Sequence, residues 1–239
     1  MKRRIEKPRI ETAAMDALVV RLFDTIEVAN MAWVLAADGA LREAFGEALI
    51  DLVPSYTTLL LHYDARALSH AEAQARARHA LTDLTPADTQ QGQRHEIPVW
   101  YDESVGPDLP RVAKRAGLSI AELIDQHCQD EYWVFALGFA PGYGFMGLVD
   151  DAIATPRLTT PRRHVAAGSV GIADRQTAIY PLPSPGGWNL LGRTAVPLFE
   201  HAKRGEPLLR PGDSVRFTSI SRAEFEAQGG DTTPMEERS

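Results

Sequence analysis

Three runs, Gly138-Phe-Ala-Pro-Gly-Tyr-Gly-Phe-Met-Gly147, Ala167-Gly-Ser-Val-Gly-Ile172 and Gln176-Thr-Ala-Ile-Tyr-Pro-Leu-Pro-Ser-Pro-Gly-Gly-Trp188, belong to one stretch from Gly138 to Thr194. That stretch holds nine of the 18 Gly and six of the 16 Pro, yet no Lys, Glu or Cys and a single His, His164. Gly permits positive φ and close backbone approach, and Pro fixes φ. Short β-favouring segments separated by such turns are the pattern of a sandwich or barrel. The same turns suit a ligand site lined by backbone amides.

Outward from this stretch the pattern stays regular. Tyr132 to Phe139 is an apolar strand, and Pro211-Gly-Asp213 is a turn before a last strand, Ser214 to Thr218. Upstream, Asp108 to Ala116 is a short helix closed by Gly117, and Ser119-Ile-Ala-Glu122 is a capping box opening a helix to about His127. Further towards the N-terminus, Ile10 to Phe23 alternates as a strand. Asp24-Thr-Ile-Glu27 starts a helix over Ile26 to Ala37, broken at Asp38-Gly39, with a second piece from Ala40 to Phe45. Ala48 to Val53 and Tyr56 to Tyr63 read as strands, with Leu59, Leu61 and Tyr63 on one face. Ser69-His-Ala-Glu72 opens a helix with Ala73, Ala77, Ala80, Leu81 and Leu84 on one stripe. His95 to Tyr101 is the next strand, shared with the second domain. This βαββαβ order suits a ferredoxin-like α+β domain over residues 1–93. A mainly-β domain over 94–226 and a disordered tail over 227–239 complete the expected organisation.

The 239 residues carry a formal charge of −7, which argues against a nucleic-acid or anionic-membrane surface. The lone Cys128 excludes an internal disulfide framework and suits a reducing cytoplasm. The basic start, Met1 to Ile10, lacks the apolar core of a secretory signal, and no run approaches the ~20 residues of a membrane span.

The chemistry-bearing residues are sparse. The seven His are scattered with no metal-ligand spacing, and His127-Cys128 reads as structural, so no metal is expected. There is no P-loop; Gly168-Ser-Val-Gly171 points amides at an anion or is a tight turn. Ser169 and Ser184 have no His or acid beside them. Pro161-Arg-Arg-His164 is either a carboxylate- or phosphate-capturing pair or a solvated run. Phe139, Tyr143, Phe145, Tyr180 and Trp188 are either core packing or the wall of a small-molecule pocket. Hydrolysis at neutral pH needs a tuned base, nucleophile or metal. A stretch without Lys, Glu or Cys calls for a site completed by another chain.

At this point the residues form an ordered set. Phe139-Ala-Pro-Gly142, Ala154-Thr-Pro-Arg157, Thr160-Pro-Arg162, Ala167-Gly-Ser-Val-Gly-Ile172, Gln176-Thr177, Ile179-Tyr-Pro181, Ser184-Pro-Gly-Gly-Trp188 and Leu191-Gly-Arg-Thr194 closely resemble the KipI/PxpB family. That family is also known as the B-type subunits of 5-oxoprolinase, allophanate hydrolase subunit 1, or carboxyltransferase domain subdomain C/D. A weaker resemblance runs through Val53-Pro-Ser-Tyr56 and Leu60-Leu-His-Tyr-Asp64. The sequence departs from the family at Tyr143-Gly-Phe145, His164-Val-Ala-Ala-Gly168 and Asp174-Arg175, all in expected loops.

The resemblance implies a cyclophilin-like barrel in the second domain. It implies an ATP-dependent 5-oxoprolinase-type amidohydrolase, opening 5-oxoproline to glutamate, with ATP and Mg used at the level of a complex and no biotin attached to this chain. The implied partners are a second carboxyltransferase-like barrel subunit, of PxpC or allophanate hydrolase subunit 2 type, and a LamB/YcsF-type protein. Allophanate- or urea-type amide chemistry and inhibition of a sensor histidine kinase are the other activities the family suggests. Prolyl isomerisation rests on fold analogy alone. Within this frame Arg162 and Arg163 are expected to bind a carboxylate or phosphate. Gly168, Ser169 and Gly171 would contact an oxyanion or phosphate. Gln176, Thr177 and Tyr180 would orient the amide, while Pro141, Gly142, Tyr143, Ser184, Gly186, Gly187 and Trp188 would shape the pocket.

Overall fold

The computed structural model describes residues 8–88, 92–199 and 205–235. The chain divides into two compact units, residues 1–91 and 92–239. Among the described residues no helix is long and apolar enough to cross a membrane.

The first unit is a four-stranded antiparallel sheet with two helices. Its elements are β1 (Arg9–Ala14), β2 (Ala17–Arg21), α1 (Met31–Phe45), β3 (Leu49–Pro54), β4 (Thr58–Tyr63) and α2 (His70–Ala80), in sheet order β1-β2-β4-β3. Leu59, Leu61 and Tyr63 share one buried face with Leu18 and Val20, as their period of two requires. Val34, Leu41 and Phe45 of α1 and Ala73 and Ala77 of α2 pack into the same cluster. The capping box at Ser69 is present, its hydroxyl accepting from the Glu72 amide at 3.3 Å.

Three expectations for this unit need correction. The strand expected over Ile10 to Phe23 is a hairpin, turning at Met15-Asp16. Helix α1 is continuous and starts after Asn30, not at Asp24. Gly39 faces open space, and Arg42 bonds Asp38 across it at 2.8 Å. A mid-helix Gly costs about 1 kcal/mol, which the burial of Val34, Ala37, Leu41 and Phe45 on one stripe outweighs. Finally, the strand expected to end this domain pairs elsewhere, so the order is ββαββα.

That strand, β5 (Arg94–Val99), begins the second unit. After it come α3 (Leu109–Ala116), α4 (Ile120–Gln129), β6 (Tyr132–Leu137), β7 (Gly144–Gly147), β8 (Arg162–Val165), β9 (Ser169–Ala173), β10 (Gln176–Ile179), β11 (Ser184–Gly186), β12 (Asn189–Arg193), β13 (Ser214–Ser219) and α5 (Arg222–Ala227). Seven strands form one mixed sheet in the order β12-β9-β10-β7-β6-β13-β5, with β5 parallel to β13. Its two edges meet where Trp100 and Arg193 exchange backbone hydrogen bonds, both 2.9 Å. The sheet is thus a nearly closed barrel. Strands β8 and β11 form a separate antiparallel ribbon.

Alternate residues of the strands fill one core: Ile97 and Val99, Val170 and Ile172, Val215 and Phe217, with Leu109, Val112 and Leu123 from α3 and α4. His127 is a polar member of this core, fully buried and stacked on Phe217 at 4.7 Å. Thr177 donates to the Gly171 carbonyl at 3.1 Å, so its oxygen accepts from His127 Nε2 at 3.2 Å. The other ring nitrogen, Nδ1, then accepts from the Tyr101 hydroxyl at 2.8 Å. That pattern satisfies a neutral imidazole, and burial pulls its pKa down to about 3.

A second buried polar group ties the ribbon to the barrel. Asp108, at the start of α3, caps no helix amide. Its Oδ2 instead accepts from the Leu190 amide and from Arg162, both at 2.8 Å. Oδ1 accepts from Arg111 at 3.3 Å, and Arg111 also bonds Asn189. One carboxylate therefore joins α3, β8 and β12.

The C-terminal residues also differ from expectation. Asp231 to Met235 are laid against the barrel rather than disordered: Arg193 bonds the carbonyls of Asp231 and Thr233, the Met235 amide bonds the Ser104 carbonyl, and Met235 is buried. Residues 236–239 of the expected tail lie outside the described residues.

Two stability predictions arise from these buried groups. Removing the Asp108 carboxylate leaves Arg162, whose side chain is 8% exposed, without its counter-ion. Asp108→Ala should lower unfolding free energy by about 3–5 kcal/mol in urea titration; a loss under about 1 kcal/mol would contradict a central role. For His127 the folded pKa lies below the unfolded one, so the unfolded chain binds the extra proton between pH 6.5 and about 3. Stability is present above pH 6.5 and falls with acidification by about 1.4 kcal/mol per pH unit. Replacing His127→Gln should flatten the pH dependence of stability in that window, and equal slopes for both proteins would refute the assignment.

Candidate functional site

Strands β9 and β10 are buried on both faces. Val170, Ile172, Thr177 and Ile179 point into the barrel core. Ala173, Ala178 and Tyr180 belong to a second cluster with Tyr143, Val165, Trp188, Leu190 and Met235. The β8–β11 ribbon contributes Val165 to this outer cluster, and the C-terminal segment contributes Met235.

Aromatic rings dominate the outer face. Tyr143 stands at the centre, with ring centroids of Phe139, Phe145, Tyr180 and Trp188 at 5.2, 4.9, 5.4 and 6.0 Å. Three of these contacts are edge-on, as ring quadrupoles favour. The five aromatics singled out in the sequence are therefore one group. Phe139 takes φ 70°, unusual for a side chain of its size, and is 65% exposed. Burial pushes the Tyr180 hydroxyl above its ordinary pKa, opposed by hydrogen bonding to Tyr143. It is thus a neutral donor and acceptor at physiological pH, not a base. Gly186 lies directly against this hydroxyl, and a methyl there would overlap it.

The expected site residues do not all meet. Thr177 faces the core and His127, opposite to Tyr180. Arg162 is committed to Asp108 and to the Trp188 carbonyl, so its guanidinium is not open for a ligand. Arg163, the next residue of β8, is exposed. The amides expected to bind an oxyanion are used inside the protein. Gly168, at φ 78°, donates to the Tyr180 carbonyl at 2.7 Å, and Ser169 donates to the Ala166 carbonyl at 3.2 Å. Gly171 lies within the β9–β10 ladder. A turn at Ala167–Gly168 takes the first two donors and the β9 ladder holds Gly171, so none of this run is an open amide loop.

The remaining residues surround the aromatic group. Gln176 opens β10, half-buried opposite Gly147. Pro141 is exposed and Gly142 is buried at φ 81° in the turn before Tyr143. Ser184 sits on β11 with its hydroxyl buried and unpaired among the described residues. Gly187 is half-buried and its carbonyl accepts from Leu158 at 2.7 Å. The hydroxyl of Ser169 is also enclosed and unpaired among the described residues.

Sequence reading gave no role to Arg193 or to the Asp108 carboxylate, while His127 is structural as expected, buried in the core. Arg193 is 2% exposed and shares the outer face with Ser169, its register partner on β9. Its motif, Leu191-Gly-Arg-Thr194, was visible, but nothing local says that a strand Arg will be sealed from water.

Comparison with known proteins agrees with this architecture. The sequence pattern of the carboxyltransferase domain, subdomain C and D, matches residues 8–209. The B-type subunit of 5-oxoprolinase from Bacillus subtilis (strain 168) is 37% identical over 229 residues, covering 92% of this chain and 95% of that protein. Its counterpart from Escherichia coli O157:H7 is 50% identical over 122 residues, 51% of this chain and 56% of that one. The crystal structure of TTHA0988 superposes with a TM-score of 0.75 at 40% identity, covering 86% of this chain but only 40% of that longer chain. The chain belongs to the KipI/PxpB family, the carboxyltransferase domain subdomain C and D proteins.

Proposed function

We propose that this chain is the B-type subunit of an ATP-dependent 5-oxoprolinase, acting on a small cyclic amide within a multi-subunit hydrolase. The observation that carries this reading is the near full-length match to the corresponding 5-oxoprolinase subunit of Bacillus subtilis, 92% of one chain against 95% of the other. The aromatic face supports it. Tyr143, Phe145 and Trp188, packed edge-on and tilted, give that face a rigid apolar backing, and Tyr180 holds a neutral hydroxyl within it. Gln176 and the Ser184 hydroxyl are further polar groups on the strands that frame that face. In this reading the barrel is cyclophilin-like, and its partners are a second carboxyltransferase-like barrel subunit and a LamB/YcsF-type protein.

The sequence has no P-loop, and among the described residues no group of three His, Cys, Asp or Glu could hold a metal ion. In this reading ATP and Mg belong to the complex. What this chain supplies is orientation and exclusion of water: a walled face that holds the amide while a partner provides the chemistry.

The test is reconstitution with both partners, followed by ATP-dependent glutamate formation from 5-oxoproline. Tyr180→Phe should lower kcat/KM by about tenfold or more, while costing about 1 kcal/mol of stability. Gly186→Ala, which drives a methyl into that hydroxyl, should lower both activity and stability. A complete complex without turnover on 5-oxoproline would refute the proposal.

A further inference from the structure

Arg193 helps to close the barrel with its backbone and sends its guanidinium to the outer face. Among the described residues its Nη1 has acceptors, the carbonyls of Asp231 at 2.6 Å and Thr233 at 2.9 Å. Nε is enclosed and has no hydrogen-bond partner among the described residues. Directly across the β9–β12 pair, the Ser169 hydroxyl is also enclosed and unpartnered. Buried polar groups are normally paired, and a buried cation normally has an anion in contact. The nearest anion is the Asp231 carboxylate, 4.0 Å away and 70% exposed. Burial accordingly pulls the Arg193 pKa below its ordinary value, with Asp231 opposing only in part. Beside these groups lies a cavity of about 400 Å³, lined by His164, Ala166, Arg193, Asp231, Thr233 and Met235.

We propose that this cavity is a carboxylate-binding site. The ligand carboxylate accepts from the Arg193 guanidinium, the cationic group of the lining, and the enclosed Ser169 hydroxyl behind that lining is the further donor it draws on. The carbonyls of Asp231 and Thr233 keep hold of Nη1, so the guanidinium presents one remaining edge. A single planar edge matches the two oxygens of a carboxylate better than the three of a phosphate. Ala166 and Met235 flank the apolar remainder of a small acid, and His164 stands at the exposed strand beside it. The Asp231 carboxylate competes with the ligand for the same cation. Only the choice of 5-oxoproline as the natural acid rests on the proposed function; the anion chemistry does not.

The test uses the full chain alone, without partners or ATP, and reads binding by ligand-observed NMR and calorimetry. Probes are acetate, 5-oxoproline, its carboxamide and inorganic phosphate. Both carboxylates should bind, and 5-oxoproline should bind about tenfold or more tighter than its uncharged carboxamide. Arg193→Gln should abolish that preference, Ser169→Ala should weaken carboxylate binding about threefold, and Asp231→Asn should strengthen it about threefold. Should Arg193→Gln fail to fold, Ser169→Ala and Asp231→Asn still decide the matter, because neither removes a hydrogen bond to Arg193. Equal binding of acid and carboxamide, phosphate preferred over acetate, or no carboxylate binding at about 10 mM would overturn the site. If carboxylates bind but the complete complex does not turn over 5-oxoproline, the site stands and the oxoprolinase reading alone falls.

Discussion

A carboxylate sealed from water needs its charge answered by donors, and at Asp108 those donors come from three directions. The side chain is 5% exposed and takes Arg162 from the ribbon, the Leu190 amide from the barrel edge and Arg111 from its own helix. The ribbon β8–β11 shares no ladder with the seven-stranded sheet. Arg162 is therefore a principal polar link between them, and the outer aromatic face exists because the ribbon stays in place. Breaking such a pair by removing one partner is costly even where the pair itself adds little net stability. The arrangement specifies geometry more than it contributes strength.

The same logic of answered and unanswered charge separates two arginines. Arg162 looked like a ligand-capturing group, yet it is fully engaged within the protein. Arg193 is even more buried, and among the described residues its partners are two backbone carbonyls and a carboxylate 4.0 Å away. In the proposed site the ligand-capturing role passes from the first to the second. The C-terminal segment is part of this, since its carbonyls hold Nη1 and its Met235 covers the aromatic cluster.

Both faces of β9 and β10 are buried, and this explains why the expected site residues part company. Adjacent residues on a strand point to opposite sides, so Thr177 and Tyr180 cannot serve one ligand. Thr177 instead closes a chain of hydrogen bonds that keeps His127 neutral in the core. Neighbours in sequence are here separated by the thickness of a sheet.

The sequence by itself determined β5, α3, α4, β6 and β13 of the second unit, the strand-and-turn pattern between them, and also the family, because Gly, Pro and capping residues act locally. The boxes at Ser69 and Ser119 and the helix end at Gly117 are of this kind. It also marked the five aromatics that become one cluster. It misjudged Gly39, where helix continuity is a tertiary outcome of the buried stripe of α1, and Arg94 to Val99, whose pairing with β13 lies more than a hundred residues away. Only the tertiary structure decided which arginine is sealed, which amides are spent on ladders and which hydroxyls are left over. Those properties depend on what crosses from distant strands, and burial of a polar group has no local signature.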